Sequence, residues 1–298
     1  MYDVIIVGAG PAGLNAALIL GRCRRRVLVC DSGHPRNATS GGLNGFLSRD
    51  GIDPHELRRI GREQLGIYPS VEIRDIEMSD AEQLDGRFDV TLADGTHVLS
   101  RKLLLATGVV DEIPKIQGLD EMYGKSVFHC PYCDGWEMRD QPLAIYGRSE
   151  HGKGLALELT AWSNDLILCT DGPGELSSAD RDRLSRNGIS IREDRIASLE
   201  GVEGVLQRIR FVSGETLARR GLFFSTGHHP GSNLARKLGC EFTSKGAVNT
   251  GDYEATNIPG IYVAGDASRF VQLTIVAAAE GAEAAFAINT QLLKEDLR

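Results

Sequence analysis

The segment His129-Cys130-Pro131-Tyr132-Cys133-Asp134 gathers the most reactive side chains of the chain. Two thiols separated by two residues can close a disulfide across one turn, and Pro131 suits the first position of a helix. A helix amino end lowers the pKa of a thiol held there, raising the thiolate fraction that disulfide exchange needs. The spacing therefore points to redox work at Cys130 and Cys133. His129 and the two thiols could also offer zinc three ligands, but no second CxxC or HxxxH pair stands nearby to complete a tetrahedron, so no metal site is expected. The other cysteines, at 23, 30, 169 and 240, lie in apolar or helical contexts and are expected to be small packing residues. Six scattered cysteines do not make a disulfide-stapled scaffold, and the expected location is the cytoplasm.

A dithiol needs an electron partner, and the first thirty-one residues supply a candidate site for one. Strand Tyr2 to Val7 leads into Gly8-Ala9-Gly10-Pro11-Ala12-Gly13, a helix from about Pro11 to Arg24, and a strand Val27 to Cys30. In this spacing the first glycine makes a tight turn, the second lets backbone approach a pyrophosphate, and the third packs helix against strand. The diphosphate would sit at the helix amino end, where unpaired amides and the helix dipole favour anions. Asp31 closes the second strand, where a carboxylate can accept hydrogen bonds from adenosine ribose hydroxyls. A glycine pattern alone also fits a surface turn; here strand, helix, second strand and acid agree.

The rest of the chain repeats this theme. Leu143 to Tyr146, a glycine-containing turn, a helical stretch through Trp162 and the strand Leu166 to Cys169 form a second unit of the same kind. Ala93-Asp94-Gly95 between Phe88–Leu92 and His97–Leu99 predicts a hairpin in a small antiparallel layer. Crossings between halves are expected at 109–118 and 225–231. The chain closes with a strand from Gly260 to Ala264 and a long Ala-rich helix from about Leu273. The fold class is α/β, with two Rossmann-like dinucleotide-binding domains, each on a central parallel sheet, plus small antiparallel layers. Residues 1–112 and 226–298 are expected to form one discontinuous dinucleotide-binding domain, and 113–225 the central domain carrying the CxxC. A formal net charge of -8 argues against a phosphate-binding surface for nucleic acid. The Arg22, Arg24, Arg25, Arg26 run reads as a solvated helix end. The amino terminus enters an apolar strand without a secretion signal, and the apolar run Leu273 to Ile288 is broken by Glu280 and Glu283, so no membrane association is expected.

Leu103-Leu104-Leu105-Ala106-Thr107-Gly108 and Ile261-Tyr262-Val263-Ala264-Gly265-Asp266-Ala267 resemble the second and third FAD signatures of the two-dinucleotide-domain flavoproteins. By that resemblance Thr107 and Gly108 bring backbone to the cofactor, and Gly265 and Asp266 meet its ribityl or pyrophosphate part. A helix entered through Gln272, Leu273 and Thr274 points its amino end at the flavin. From Gly118 through Gly135 the chain is similar to the redox centre of low-molecular-weight thioredoxin reductases, a likeness that spans nearly the whole sequence. It implies that Cys133 faces the isoalloxazine, that Cys130 exchanges with the outside dithiol, and that Asp134 moves the thiol proton, a task His129 could share. It also implies a homodimer.

The resemblance breaks in the central unit. Ser149 and Glu150, in Gly147-Arg148-Ser149-Glu150-His151-Gly152, work against a diphosphate. After Cys169 an arginine-rich segment would grip the 2'-phosphate of NADPH, whereas this chain has Thr170-Asp171-Gly172-Pro173-Gly174-Glu175. NADPH is therefore disfavoured, while Asp171 leaves a ribose contact with NADH open. An intact flavin unit with an altered nicotinamide unit resembles the FAD-dependent dithiol oxidases of the gliotoxin and holomycin type, as do the Cys-Pro-Tyr-Cys spelling and Arg36-Asn37, with Asn37 counted among the cofactor residues. The expected function is oxidation of a small-molecule dithiol, or of a thiol pair on a thioredoxin-like protein, with oxygen as acceptor. An NAD(P)H-driven disulfide reductase, another electron donor such as ferredoxin, and a noncatalytic flavin redox sensor stand as alternatives.

Overall fold

The structure, a computed structural model, describes all residues from Met1 to Arg298. It opens with β1 (Tyr2–Val7), α1 (Pro11–Arg22), β2 (Val27–Cys30), α2 (Pro54–Leu65), β3 (Val71–Arg74), β4 (Met78–Leu84), β5 (Arg87–Leu92), β6 (His97–Leu105) and β7 (Val109–Asp111). The middle holds α3 (Leu119–Met122), β8 (Val127–Phe128), α4 (Pro131–Asp134), β9 (Leu143–Tyr146), α5 (Ser149–Glu158), β10 (Leu166–Cys169), α6 (Ser178–Arg186), β11 (Ser190–Arg192), β12 (Ile196–Val202), β13 (Val205–Phe211), β14 (Thr216–Ala218) and β15 (Gly221–Phe224). The last part holds β16 (His228–Pro230), α7 (Leu234–Lys237), β17 (Ile261–Val263) and α8 (Thr274–Asp296). No helix is long and apolar enough to cross a membrane.

Two sheets organise the chain, the first parallel except where β5 pairs antiparallel with β4 and β6. The first runs β3-β2-β1-β6-β5-β4, with β17 also parallel to β6. Its central strands are apolar without interruption because helices and loops cover both faces. Alternation sends Val4, Ile6, Val27, Val29 and Leu104 toward α1 and α8, and Ile5, Val7, Leu28, Leu103 and Leu105 to the opposite core. Helix α1 lies against α8 so closely that a Cβ on Gly281 would come within 2.0 Å of the Ala12 carbonyl oxygen. The second layer, β11-β10-β9-β15-β8, is parallel throughout. Both crossings between these layers meet in one antiparallel ribbon, β7 against β16, with Asp111 opposite His228.

Several elements differ from the sequence reading. Helix α1 stops at Arg22, two residues early, because Arg24 takes a left-handed φ of 61°. That turn sends Arg25 inward instead of into solvent: its guanidinium donates to Asn289 at 2.8 Å and Asp296 at 2.6 Å on α8. The segments His97–Leu99 and Leu103–Leu105 are one strand, β6, pairing with the β5 hairpin at one end and with β1 and β17 at the other. Helix α2 adds to the elements expected from the sequence, and β12-β13-β14 is one of the small antiparallel layers of the fold class, at a position no hairpin signal marked. Cys30, Cys169 and Cys240 are buried packing residues as expected, whereas Cys23 is exposed at the end of α1.

Candidate functional site

A cavity of about 460 Å³ runs along the carboxyl ends of the first sheet's strands and reaches the dithiol. Gly8, Gly10, Pro11, Ala12, Asp31, Asn37, Thr107, Gly108, Gly265, Asp266, Gln272, Leu273 and Thr274 all line it, as do His129, Cys133 and Asp134. Two of the sequence candidates stand back from it, Gly13 and Cys130. Gly13 has a packing task, since a Cβ there would lie 1.9 Å from the Gly8 carbonyl oxygen. Gly8, at φ 103°, turns the chain under the Ala106 carbonyl, where a Cβ would come within 2.4 Å. A Cβ on Gly10 meets no protein atom within 4 Å; it would project into open cavity. The protein has no packing need for a bare Gly10, so the clearance fits a ligand diphosphate. Helix α1 begins there without a side-chain cap, leaving its first amides for an anion.

The acids of the cavity are partnered by arginines, of which Arg36 alone belongs to a motif read from the sequence. Asp31 accepts from the Ala9 amide at 3.1 Å, from Arg58 at 2.6 Å and from Arg62 at 2.7 Å, both arginines reaching it from α2. Asp266 pairs with Arg36 at 2.9 Å, and the same guanidinium donates to Gln272 at 2.7 Å and grips both oxygens of Asp111. Burial works to raise the Asp111 carboxyl, but Arg36 and His129 outweigh it and hold it below its ordinary value. Behind Gly265, whose amide donates to Glu280 at 2.7 Å, burial pushes the Glu280 carboxyl up to about 7.

Cys130 and Cys133 are joined as a disulfide, with Cys130 capping the single-turn helix α4 and Pro131 at its first position. The two sulfurs are inequivalent, because Cys133 faces the cavity and Cys130 does not. Asn44, from the loop after β2, donates its side-chain amide to the Cys133 carbonyl at 2.8 Å. Burial, reinforced by the nearby Glu137, pushes the Asp134 carboxyl up to about 7, so it exchanges a proton near neutral pH. His129 Nδ1 meets the Tyr123 hydroxyl at 3.0 Å, and burial pushes the imidazole below its ordinary value although Asp111 pulls the other way.

The central unit keeps the strand-turn-helix path, and polar groups of its turn bond to one another. Ser149 occupies a left-handed φ of 49° and its amide donates to the Gly174 carbonyl at 3.0 Å. The Ser149 hydroxyl donates to Glu175 at 2.9 Å, and Arg148 Nε donates to the Thr170 carbonyl at 2.8 Å. Asp171, read from the sequence as leaving an NADH ribose contact open, accepts from the Ile196 amide at 2.8 Å and from Tyr146 at 3.4 Å. That carboxylate stitches the turn after β10 to β12.

A family model for pyridine nucleotide-disulphide oxidoreductases matches residues 2–281. The chain belongs to that family. Within it, this pyridine nucleotide-disulphide oxidoreductase is a thioredoxin reductase-like, FAD-dependent enzyme. It is 31% identical to thioredoxin reductase aclD of Aspergillus oryzae over 98% of this chain and 96% of the relative. It is 30% identical to thioredoxin reductase tcpT of Claviceps purpurea, covering 99% and 95%. Among solved structures, HlmI superposes with a TM-score of 0.95 at 39% identity, covering 99% of this chain and 94% of that one. When bound, FAD supplies the acceptor or donor for an electron pair exchanged with the dithiol. The bare Gly10, the uncapped α1 and the cavity-facing Cys133 are this chain's own fit to that cofactor.

Proposed function

We propose that the protein is a dithiol oxidase, closing a disulfide in a substrate that carries two thiols and passing the electron pair through Cys130/Cys133 and FAD to oxygen. The reading rests on one observation above all: the Ser149 amide, which would meet a nicotinamide diphosphate, is already bonded to Gly174, with Glu175 tied to the same turn. Admitting a dinucleotide there means breaking those contacts and bringing phosphate charge up to a carboxylate. The domain limits 1–112 plus 226–298 for flavin, and 113–225 for the dithiol unit, belong to this proposal.

In this reading a substrate thiolate attacks Cys130 Sγ, the Cys130–Cys133 bond breaks, and Cys133 leaves as a thiolate at the cavity wall. The second substrate sulfur then attacks its partner in the mixed disulfide, which frees Cys130 as a thiol and releases the substrate disulfide. Asp134 takes the proton lost by the incoming thiol. Bound FAD would supply the acceptor for the electron pair left on Cys133, with oxygen as the final acceptor and hydrogen peroxide as its product; this chain's part is to hold Cys133 at the cavity wall with Cys130 beside it, so that their bond can re-form as Cys130 gives up its proton. Substrates that match this exchange are small-molecule dithiols and exposed thiol pairs on thioredoxin-like proteins.

Asp134, which the thioredoxin reductase resemblance makes the proton carrier, and relatives that are thioredoxin reductases favour a second reading, a nicotinamide-driven disulfide reductase. Anaerobic mixing separates the two. The oxidase reading expects dithiothreitol to bleach the flavin absorbance and NADPH and NADH to leave it unchanged, with peroxide formed on readmitting air. Rapid bleaching by either nicotinamide would overturn it.

A further inference from the structure

The loop of residues 32–53, between β2 and α2, crosses from the flavin cavity to the dithiol. It touches the crossing ribbon at one point and the central part of the chain at two. Arg36 grips Asp111 in β7, the Gly41 amide donates to the Gly124 carbonyl at 3.3 Å, and Asn44 donates to the Cys133 carbonyl at 2.8 Å. The fit at Gly124 is close, since a Cβ there would lie 2.3 Å from the Thr39 carbonyl oxygen. Around Asn44 the loop is stapled to itself: the Leu43 amide donates to Ile52 at 2.8 Å, the Gly51 amide to Leu43 at 2.9 Å, and the Gly45 amide to Asp50 at 2.8 Å. Leu43 is buried beneath it.

The receiving end is weak by itself. Helix α4 has four residues, and a single turn cannot satisfy its last carbonyls internally. The Cys133 carbonyl is one of these, and Asn44 is its side-chain donor. Because the partner is a carbonyl, the amide nitrogen of Asn44 must face it. We infer that Asn44 is a positioning residue for the redox reaction: its amide, braced by the stapled loop, fixes the Cys133 carbonyl and keeps the Cys133 sulfur at the wall of the flavin cavity. This rests on the reading of Cys133 as the flavin-facing thiol.

The test uses FAD-loaded Cys130→Ser protein, in which Cys133 is a free thiol, with Asn44→Ala or Asn44→Asp added. The aspartate keeps the shape of the side chain and so the packing of the loop, but ionised it has no hydrogen to donate. Alkylation of Cys133 by iodoacetamide is expected to run about fivefold faster in both variants, the factor that one hydrogen bond of ordinary net strength contributes to an equilibrium. The long-wavelength absorbance of a thiolate against flavin is expected to weaken in parallel, with flavin content retained in the aspartate variant. Unchanged alkylation and absorbance in both variants overturn the role of Asn44. Failure of the underlying reading looks different: the Cys130→Ser parent itself would lack the long-wavelength band, and Cys133→Ser would carry it.

Discussion

At the scale of single residues, the dithiol is asymmetric before any substrate arrives. Cys133 lines the cavity and Cys130 stands outside it, so serine replacements should not be equivalent. Cys133→Ser is expected to abolish flavin bleaching by dithiothreitol in anaerobic stopped flow. Cys130→Ser is expected to lose turnover yet keep a thiolate in contact with flavin. Asp134 belongs to the same scale. Burial raises its carboxyl from an ordinary 3.8 to about 7, so the folded protein binds that proton more tightly than the unfolded chain. The stability this adds is complete below the ordinary value and is lost as pH rises through about 7. Asp134→Asn is therefore expected to raise the melting temperature at pH 8 and leave it nearly unchanged at pH 4. The same substitution should remove a limb near pH 7 from the rate profile of thiol oxidation, because no carboxylate remains to take the proton. A melting temperature that falls at pH 8 would contradict the burial argument.

At the scale of elements, glycines that look alike in sequence have different tasks. Gly281 and Gly13 are packing glycines: a Cβ would lie 2.0 Å from Ala12 in one case and 1.9 Å from Gly8 in the other. Gly281→Ala must push α1 from α8, and a loss of ~1–3 kcal/mol in stability is expected by denaturant unfolding. Gly10 borders only open cavity. Gly10→Ala is expected to leave the apoprotein's unfolding curve unmoved while lowering flavin affinity by about tenfold or more, which is ~1.4 kcal/mol or more of binding free energy. Equal effects on stability at Gly10 and Gly281 would refute this division. The opening β1-α1-β2 unit was legible because its period, glycine spacing and terminal acid all lie within one short stretch. Helix α2 escaped notice: it is polar over most of its surface, with only Pro54 and Leu65 buried.

At the scale of the whole molecule, function depends on two layers meeting where the chain crosses twice between them. The β7–β16 ribbon carries both crossings, and Arg36 ties that ribbon to Asp266 and Gln272 on the flavin side. The sequence by itself determined the elements and chemistry that are local: the glycine turn, the CxxC on a helix start, the acid after β2 and the α/β class. Each follows from backbone conformation, side-chain period or thiol spacing over a few residues. Tertiary structure alone decided that Arg58 and Arg62 pair with Asp31 and that Asp171 accepts from the Ile196 amide beside β12. It also turned Arg25 from solvent to α8. These pairings join residues far apart in the chain, and a charged or polar group takes its role from whatever the fold brings within hydrogen-bond reach.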